Sequence, residues 1–397
     1  MKKELLFIVN TLHCGGTEKA LLSLLQTLDY STYSVDLFVF KHEGLFFDSL
    51  PKAVTVLPEQ KRVSYFYMST FAALALALRR LDFRAFYARV MLTVLSKRYT
   101  NGVWVEQYFW KYYSKVLAPL EKQYAAAIGF QEKNPTYFCV DKVQAGLKMG
   151  WVHTDLEVLQ LDFEQDAPYF AQLDYLVPVS SGLAVRLQEC LPQYASKITP
   201  IENILSVSLI RQLAQVPVAF NLPEGVFSLV SVGRLAKEKG LFLGLEALSI
   251  LRSKGYAVHW YLIGEGNQKA ALQTAAASMG VSDSLFFLGL KENPYPYLQR
   301  CDLFLLPSLF EGKSISLEEA KVLAKPIVIT NFSSATDQIQ HGITGLITAM
   351  DGVALAAAVE QLLLEPALRS QFSAALLATV AGNETELLKF DALVSHA

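Results

Sequence analysis

FEGKSISLEEAKVLAKPIVITN, residues 310–331, combines a loop carboxylate, a helix start and a buried strand. Ser314 and Ser316 are N-cap candidates, because a serine oxygen accepts an orphan backbone N–H at a helix start. Ile315, Leu317, Ala320, Leu323 and Ala324 recur at helical spacing, and Ala324-Lys325-Pro326 stops the helix. Pro326 to Thr330 is a short apolar, β-branched run, the pattern of a parallel strand covered on both faces. Such a junction offers free N–H groups and a positive dipole end, which suit a phosphate. Glu311 lies before the helix and Glu319 on its second turn. One carboxylate is thereby placed for a sugar hydroxyl and the other for a ribose, on either side of the phosphates.

Upstream, Phe227 to Gly240 (FSLVSVGRLAKEKG) reads as a strand ending at Gly233, followed by Arg234 and Lys239. Two cations at a strand's carboxyl end can meet phosphates, although loop Arg and Lys are ordinarily just solvated. Further strands are expected at His259–Ile263, before Gly264-Glu265-Gly266, at Phe286–Gly289 and at Leu303–Leu306, with a short helix at Tyr295–Cys301. Leu290 follows the second of these strands. Ser206 to Glu224, with Pro217 and Pro223, reads as a connection between domains.

In the first half, Leu5–Val9 is a strand and NTLHCGGTE, residues 10–18, a loop handing over to a helix that runs to about Leu28. Gly15 and Gly16 allow close backbone approach, as they would in any tight turn, and Thr17 is a cap candidate. The third glycine of the dinucleotide fingerprint is missing, which argues against NAD or FAD. Strands at Val35–Phe40, Val54–Leu57, Ala125–Phe130, Leu147–Val152 and Tyr175–Val179 continue an α/β alternation. His153 follows one of them, where α/β sheets place ligands, with Asp155 close by.

The 397 residues suit two domains. A formal charge of −2 gives no argument for a nucleic-acid partner. Cys14, Cys139, Cys190 and Cys301 form no C-x-x-C pair, so neither a zinc site nor a disulfide framework is indicated, and reduced thiols in the cytoplasm are expected. Hydrophobic residues make up 52%, yet no uncharged apolar run is long enough to span a bilayer. Residues 61–115 differ in kind. They carry ten Lys/Arg against Asp82 and Glu106, and 14 of the 46 aromatics. Tyr65 to Leu78 is an apolar stretch closed by Arg79-Arg80, suited to lying in a membrane interface, though core helices with solvated arginines would read similarly.

The 310–331 stretch resembles the signature of the retaining glycosyltransferases of family 4, which have the GT-B fold. In that family two glutamates separated by seven residues bracket a nucleotide sugar. Gly312 matches the pattern, while Lys313 and Ser314 stand where an aromatic and a small residue are common. The resemblance extends to the GGTE loop, to WVHTD at 151–155, to the Gly-Arg…Lys-Gly run at 233–240, to Gly264-Glu265-Gly266, and to Asp337…Ile339…Gly342…Gly345. It covers nearly the whole chain and is specific from Val226 to Ile347.

What the resemblance implies is an α/β protein of GT-B architecture, two Rossmann-like domains facing across a cleft. The expected domains are an acceptor domain 1–205, a donor domain 206–375 and a C-terminal helix within 376–397 crossing back to the first. The expected reaction transfers a sugar from a nucleotide-diphosphate sugar, with uridine the default base, to a hydroxyl acceptor, retaining configuration. By carry-over, Glu311 positions the donor sugar, His153 meets its polar edge, and Arg234 with Lys239 neutralises the diphosphate. Gly15, Gly16, Gly233, Gly264, Leu290, Gly312, Lys313, Ser314, Ile315, Ser316 and Glu319 contact the donor, Glu319 through the ribose. No Asp-x-Asp is present, so no metal or other cofactor is expected. The basic, aromatic 61–115 region suggests a lipid-linked glycan acceptor for cell-surface polysaccharide such as capsule, with peripheral contact on the inner membrane face. Alternatives on the same fold are a non-catalytic glycan-binding partner, or an epimerase or phosphorylase.

Overall fold

The computed structural model describes residues 2–13, 15–154, 159–311, 313–380 and 382–395. Gly312 and Asp155, both singled out above, lie outside them. The chain divides into two units, one built from Met1–His13, Thr17–Ile204 and Glu384–Ala397, the other from Cys14–Gly16 and Leu205–Asn383.

In the first unit β1 (Lys3–Val9), β2 (Tyr33–Val39), β3 (Val54–Val56), β4 (Gln123–Gly129), β5 (Gln144–Val152) and β6 (Tyr175–Pro178) form one sheet in the order β3-β2-β1-β4-β5-β6. All neighbours are parallel. Parallel strands need crossover helices on both faces, which is why β1 reads as an unbroken apolar run with Leu5 to Val9 fully buried. The order reverses between β1 and β4, so that sheet's ligand crevice opens beyond their carboxyl ends.

The second unit repeats the scheme. β7 (Phe227–Val232), β8 (Val258–Ile263), β9 (Leu285–Gly289), β10 (Leu303–Leu306), β11 (Ile327–Thr330) and β12 (Leu346–Thr348) pair in the order β12-β11-β10-β7-β8-β9, all parallel, with the switch point between β7 and β10.

Three expectations are corrected. Residues 206–224 are no bare connection: Val207–Ala214 is a helix whose Ile210 and Ala214, with Phe220, are buried in the second unit's core. The boundary expected at 375/376 falls inside the helix Pro366–Thr379, whose Phe372 and Leu376 are buried in the second unit. The helix expected within 376–397 to join the first unit is Glu386–Ser395. There Phe390 is fully buried and stacks on Phe7 at 6.1 Å, Tyr33 hydrogen-bonds Asp391, and the Lys3 ammonium donates to the Val394 carbonyl. Finally, Tyr65 to Leu78 is not one surface stretch. Tyr65 is buried in a short 3-10 turn, Phe66 packs on Phe109 and Tyr113, and the helix starts only at Thr70.

Candidate functional site

At the switch point of the second unit, β7 ends on Val232 and Gly233-Arg234 turn out of the sheet beside Pro307, which follows β10. Gly264, after β8, has φ +146°, and a Cβ there would lie 1.9 Å from the Gly233 carbonyl oxygen. The two strand ends touch backbone to backbone, and only glycine allows it. Gly240, at φ +57°, meets the Pro307 carbonyl equally closely, which ties the Lys237–Lys239 turn to the end of β10.

That turn aims Lys239 at Glu311. The ammonium donates to Glu311 Oε1 at 2.6 Å, and Ser308 Oγ donates to the same oxygen at 2.7 Å. Both side chains of the pair are mostly covered, 18% and 11% exposed, so water screens them weakly. Arg234 differs. It pairs with Glu238 at 2.9 Å on a side chain 74% exposed, a contact contributing roughly 0–1 kcal/mol and easily given up to a better anion.

The loop ahead of the next helix is held from β11 and beyond. Thr330 Oγ1 donates to the Ser308 carbonyl, and Ser334 Oγ donates to the Glu311 carbonyl at 2.9 Å. Helix Ile315–Val322 has Ser314 at its N-cap, but neither serine caps it: the Ser314 and Ser316 hydroxyls lie 3.3 Å apart. The Ser314 N–H instead donates to Gln338 Oε1 at 2.9 Å, and Gln338 is anchored to Ser334. Leu317 and Glu318 bond back to the Ser314 carbonyl, so the N–H groups of Ile315 and Ser316 are the orphan donors of the helix start.

One turn on, Glu319 is 2% exposed and accepts from Tyr295 Oη at 2.8 Å. Burial, with the Glu319 charge beside it, pushes the Tyr295 phenol well above its ordinary pKa, so it stays a donor. Lys313 is half-buried in the loop, and Leu290, just past β9, is 40% exposed. A hollow of about 440 Å³, among His341, Thr348, Ala357 and Phe372, contains none of these residues.

The remaining candidates come from the first half of the chain. Gly15 precedes the helix Gly16–Thr27, and Gly16 opens it, so Thr17 lies inside the helix and not at its cap. His153 follows β5 with its ring 5.0 Å from Phe130 and Nε2 at 3.0 Å from the Phe130 carbonyl. A carbonyl only accepts, so Nε2 carries the proton and Nδ1 the lone pair. Burial pulls the imidazole pKa down to about 3, so the ring is neutral. The His153 and Thr154 N–H groups both donate to Glu132 Oε1, at 2.6 and 2.8 Å. Burial raises the Glu132 carboxyl. Gln131 beside it accepts from the Asn10 backbone and side chain, joining the carboxyl ends of β1 and β4.

The second unit therefore brings Arg234, Lys239, Glu311, Ser314 to Ser316 and Glu319 into one neighbourhood. Sequence reading missed Tyr295, Ser308, Gln338 and Glu132. The available signal was position alone: Ser308 and Glu132 follow the carboxyl ends of β10 and β4, as Gly233 follows β7.

Residues 215–376 match the model of the family described as Glycosyl transferases group 1. The amylovoran biosynthesis glycosyltransferase AmsK of Erwinia amylovora is 36% identical over 138 residues, 32% of this chain and 34% of that protein. The lipopolysaccharide core biosynthesis glycosyltransferase LpsE of Rhizobium meliloti is 25% identical over 213 residues, 53% of this chain and 60% of that protein. The chain thus spans between one third and three fifths of these two relatives. Anabaena Alr3699/HepE, solved in complex with UDP, superposes with a TM-score of 0.61 at 15% identity, over 95% of this chain and 94% of that one. Two six-stranded parallel sheets of this order, together with that likeness, are the GT-B fold, and the stretch that matches the group 1 glycosyltransferases is its second sheet and the helices around it.

Proposed function

We propose that the protein is a retaining glycosyltransferase moving a sugar from a nucleotide-diphosphate sugar, UDP by default, to a hydroxyl of a lipid-linked glycan in cell-surface polysaccharide synthesis. The observation that carries the reading is the covered Lys239–Glu311 pair at the β7/β10 switch point, with Arg234 beside it and Glu319 one helical turn beyond the orphan N–H groups. The UDP held by the Anabaena neighbour and the polysaccharide and lipopolysaccharide roles named for the relatives support the donor and acceptor classes.

In this reading the diphosphate displaces Glu238 from Arg234, takes a share of Lys239, and meets the Ile315 and Ser316 N–H groups. Glu311, relieved of part of its ion pair, turns to a sugar hydroxyl, and Glu319 accepts from the ribose. Gly15, Gly16, Gly233, Gly264, Leu290, Gly312 and Lys313 complete the donor contacts. His153, neutral and with its Nδ1 lone pair available, accepts from the sugar's polar edge. The leaving phosphate deprotonates the acceptor on the face it departs from. These side chains and the helix start balance the leaving group without a metal, and turnover unchanged by a chelator tests that part.

Calorimetry with UDP, GDP, ADP and their common sugars, beside Glu319→Ala and Arg234→Ala, tests the whole. One nucleotide that binds the parent and is lost by both variants supports the reading. Folded protein that binds none overturns it.

A further inference from the structure

We propose that the two-helix arm Thr70–Arg98 of the first unit is a docking surface for an anionic lipid bilayer. The arm is packed inside out. Its buried positions are mostly alanine: Ala73 and Ala77 on the helix Thr70–Arg79, and Ala85 and Ala88 on the helix Phe83–Arg98. Several large apolar side chains face solvent instead, while Leu76, Phe86, Leu92 and Leu95 pack on the core. Phe71 is 89% exposed, Leu81 73% and Phe83 65%, with Leu78 and Tyr87 more than half exposed. Phe71, Ala75 and Leu78 recur at i, i+4 and i+7, a helical stripe of the kind normally turned to a core.

The corner between the helices is strained. Leu81 sits there at φ +52°, a left-handed conformation that favours glycine, and this strained position carries an apolar side chain into water. Around it stand Arg79, Arg80 and Arg84, exposed, with side chains that make no ion pair or hydrogen bond among the described residues. The one acid of the arm, Asp82, is already taken by Arg62 at 2.8 Å and by the Ala85 N–H.

This charge pattern selects the partner. An apolar protein face would strip water from three unpaired guanidinium groups. An anionic headgroup layer receives them, while the acyl boundary takes Phe71, Leu78, Leu81 and Phe83. No helix among the described residues is long and apolar enough to cross a membrane, so the arm lies in the interface. The proposal gives a surface to the lipid-linked acceptor reading and rests on it for purpose only. Nucleotide binding by the second unit stands or falls separately.

The test is sedimentation of the full chain with vesicles of phosphatidylcholine alone and of phosphatidylcholine mixed with phosphatidylglycerol. The parent should bind the mixed vesicles and release them as salt rises. Phe71→Ser with Phe83→Ser should weaken that binding by ~10-fold or more, and so should Arg79→Gln with Arg80→Gln and Arg84→Gln. Leu81→Gly relieves the strained corner, so it should raise Tm while lowering vesicle binding, a combination that misfolding cannot produce. Failure of the folded parent to bind mixed vesicles overturns the proposal, as does equal binding by all variants. A dimer seen by light scattering and abolished by the Ser variant would also overturn it, in favour of a second copy of the chain.

Discussion

Lys239 donates to Glu311 Oε1 at 2.6 Å across 72 residues of chain, and each is the other's ion-pair partner. The cation proposed for the diphosphate and the carboxylate proposed for the sugar thus neutralise each other. Lys239→Ala should weaken binding of the nucleotide identified above by ~10-fold or more, through loss of a charge-assisted contact. Glu311→Gln should leave that affinity within ~3-fold, because the proposed role of Glu311 is toward the sugar and not the phosphates, and should lower kcat by ~10²-fold. Calorimetry and turnover of the same two variants check both.

Tyr295 holds the carboxylate assigned to the ribose. Tyr295→Phe deletes one hydrogen bond to a buried charge, which should cost about 1.5–3 kcal/mol in urea unfolding. UDP affinity should fall ~5-fold or more, while inorganic pyrophosphate, having no ribose, should bind as before. An equal loss for both ligands would make Tyr295 merely structural.

The His153 ring, held at about 3 by burial, links folding to pH. Its folded pKa lies below the unfolded value near 6.5, so the unfolded chain takes the proton first on acidification. The neutral ring's contribution is complete above pH 6.5 and is lost toward pH 3, at up to about 1.4 kcal/mol per pH unit. Asp166, raised to about 6 by burial, acts the other way between pH 6 and 3.8, because there the folded chain takes the proton first. The readout is therefore a difference: His153→Gln should gain stability relative to the parent as pH falls from 6.5 to 4.5, in urea titrations at each pH.

The C-terminal helix belongs structurally to the first unit. Phe390→Ala empties a fully buried site against Phe7 and Trp151 and should cost about 3–5 kcal/mol. Chemical denaturation followed by the fluorescence of Trp151 should show the loss in the first unit.

Local pattern determined much of this molecule. The apolar runs at Leu5–Val9 and Leu303–Leu306, the glycines after β7 and β8, and the helix between Ser314 and Pro326 were all legible, because strand and helix periods are written in neighbouring residues. So were the places of Glu311 ahead of that helix and Glu319 within it, which need only the helix and its entry loop.

Tertiary structure alone decided what those residues touch. Gln338 accepts from the Ser314 N–H across 24 residues, and Glu132 clamps the backbone of His153 from 21 residues away. The arm at 70–98 has the composition of an ordinary core hairpin, and which of its faces meets water cannot be read from its spacing. Each of these contacts joins segments brought together by sheet order. Sheet order follows from how whole helices and strands bury their faces against one another, a sum over the chain that no local window contains.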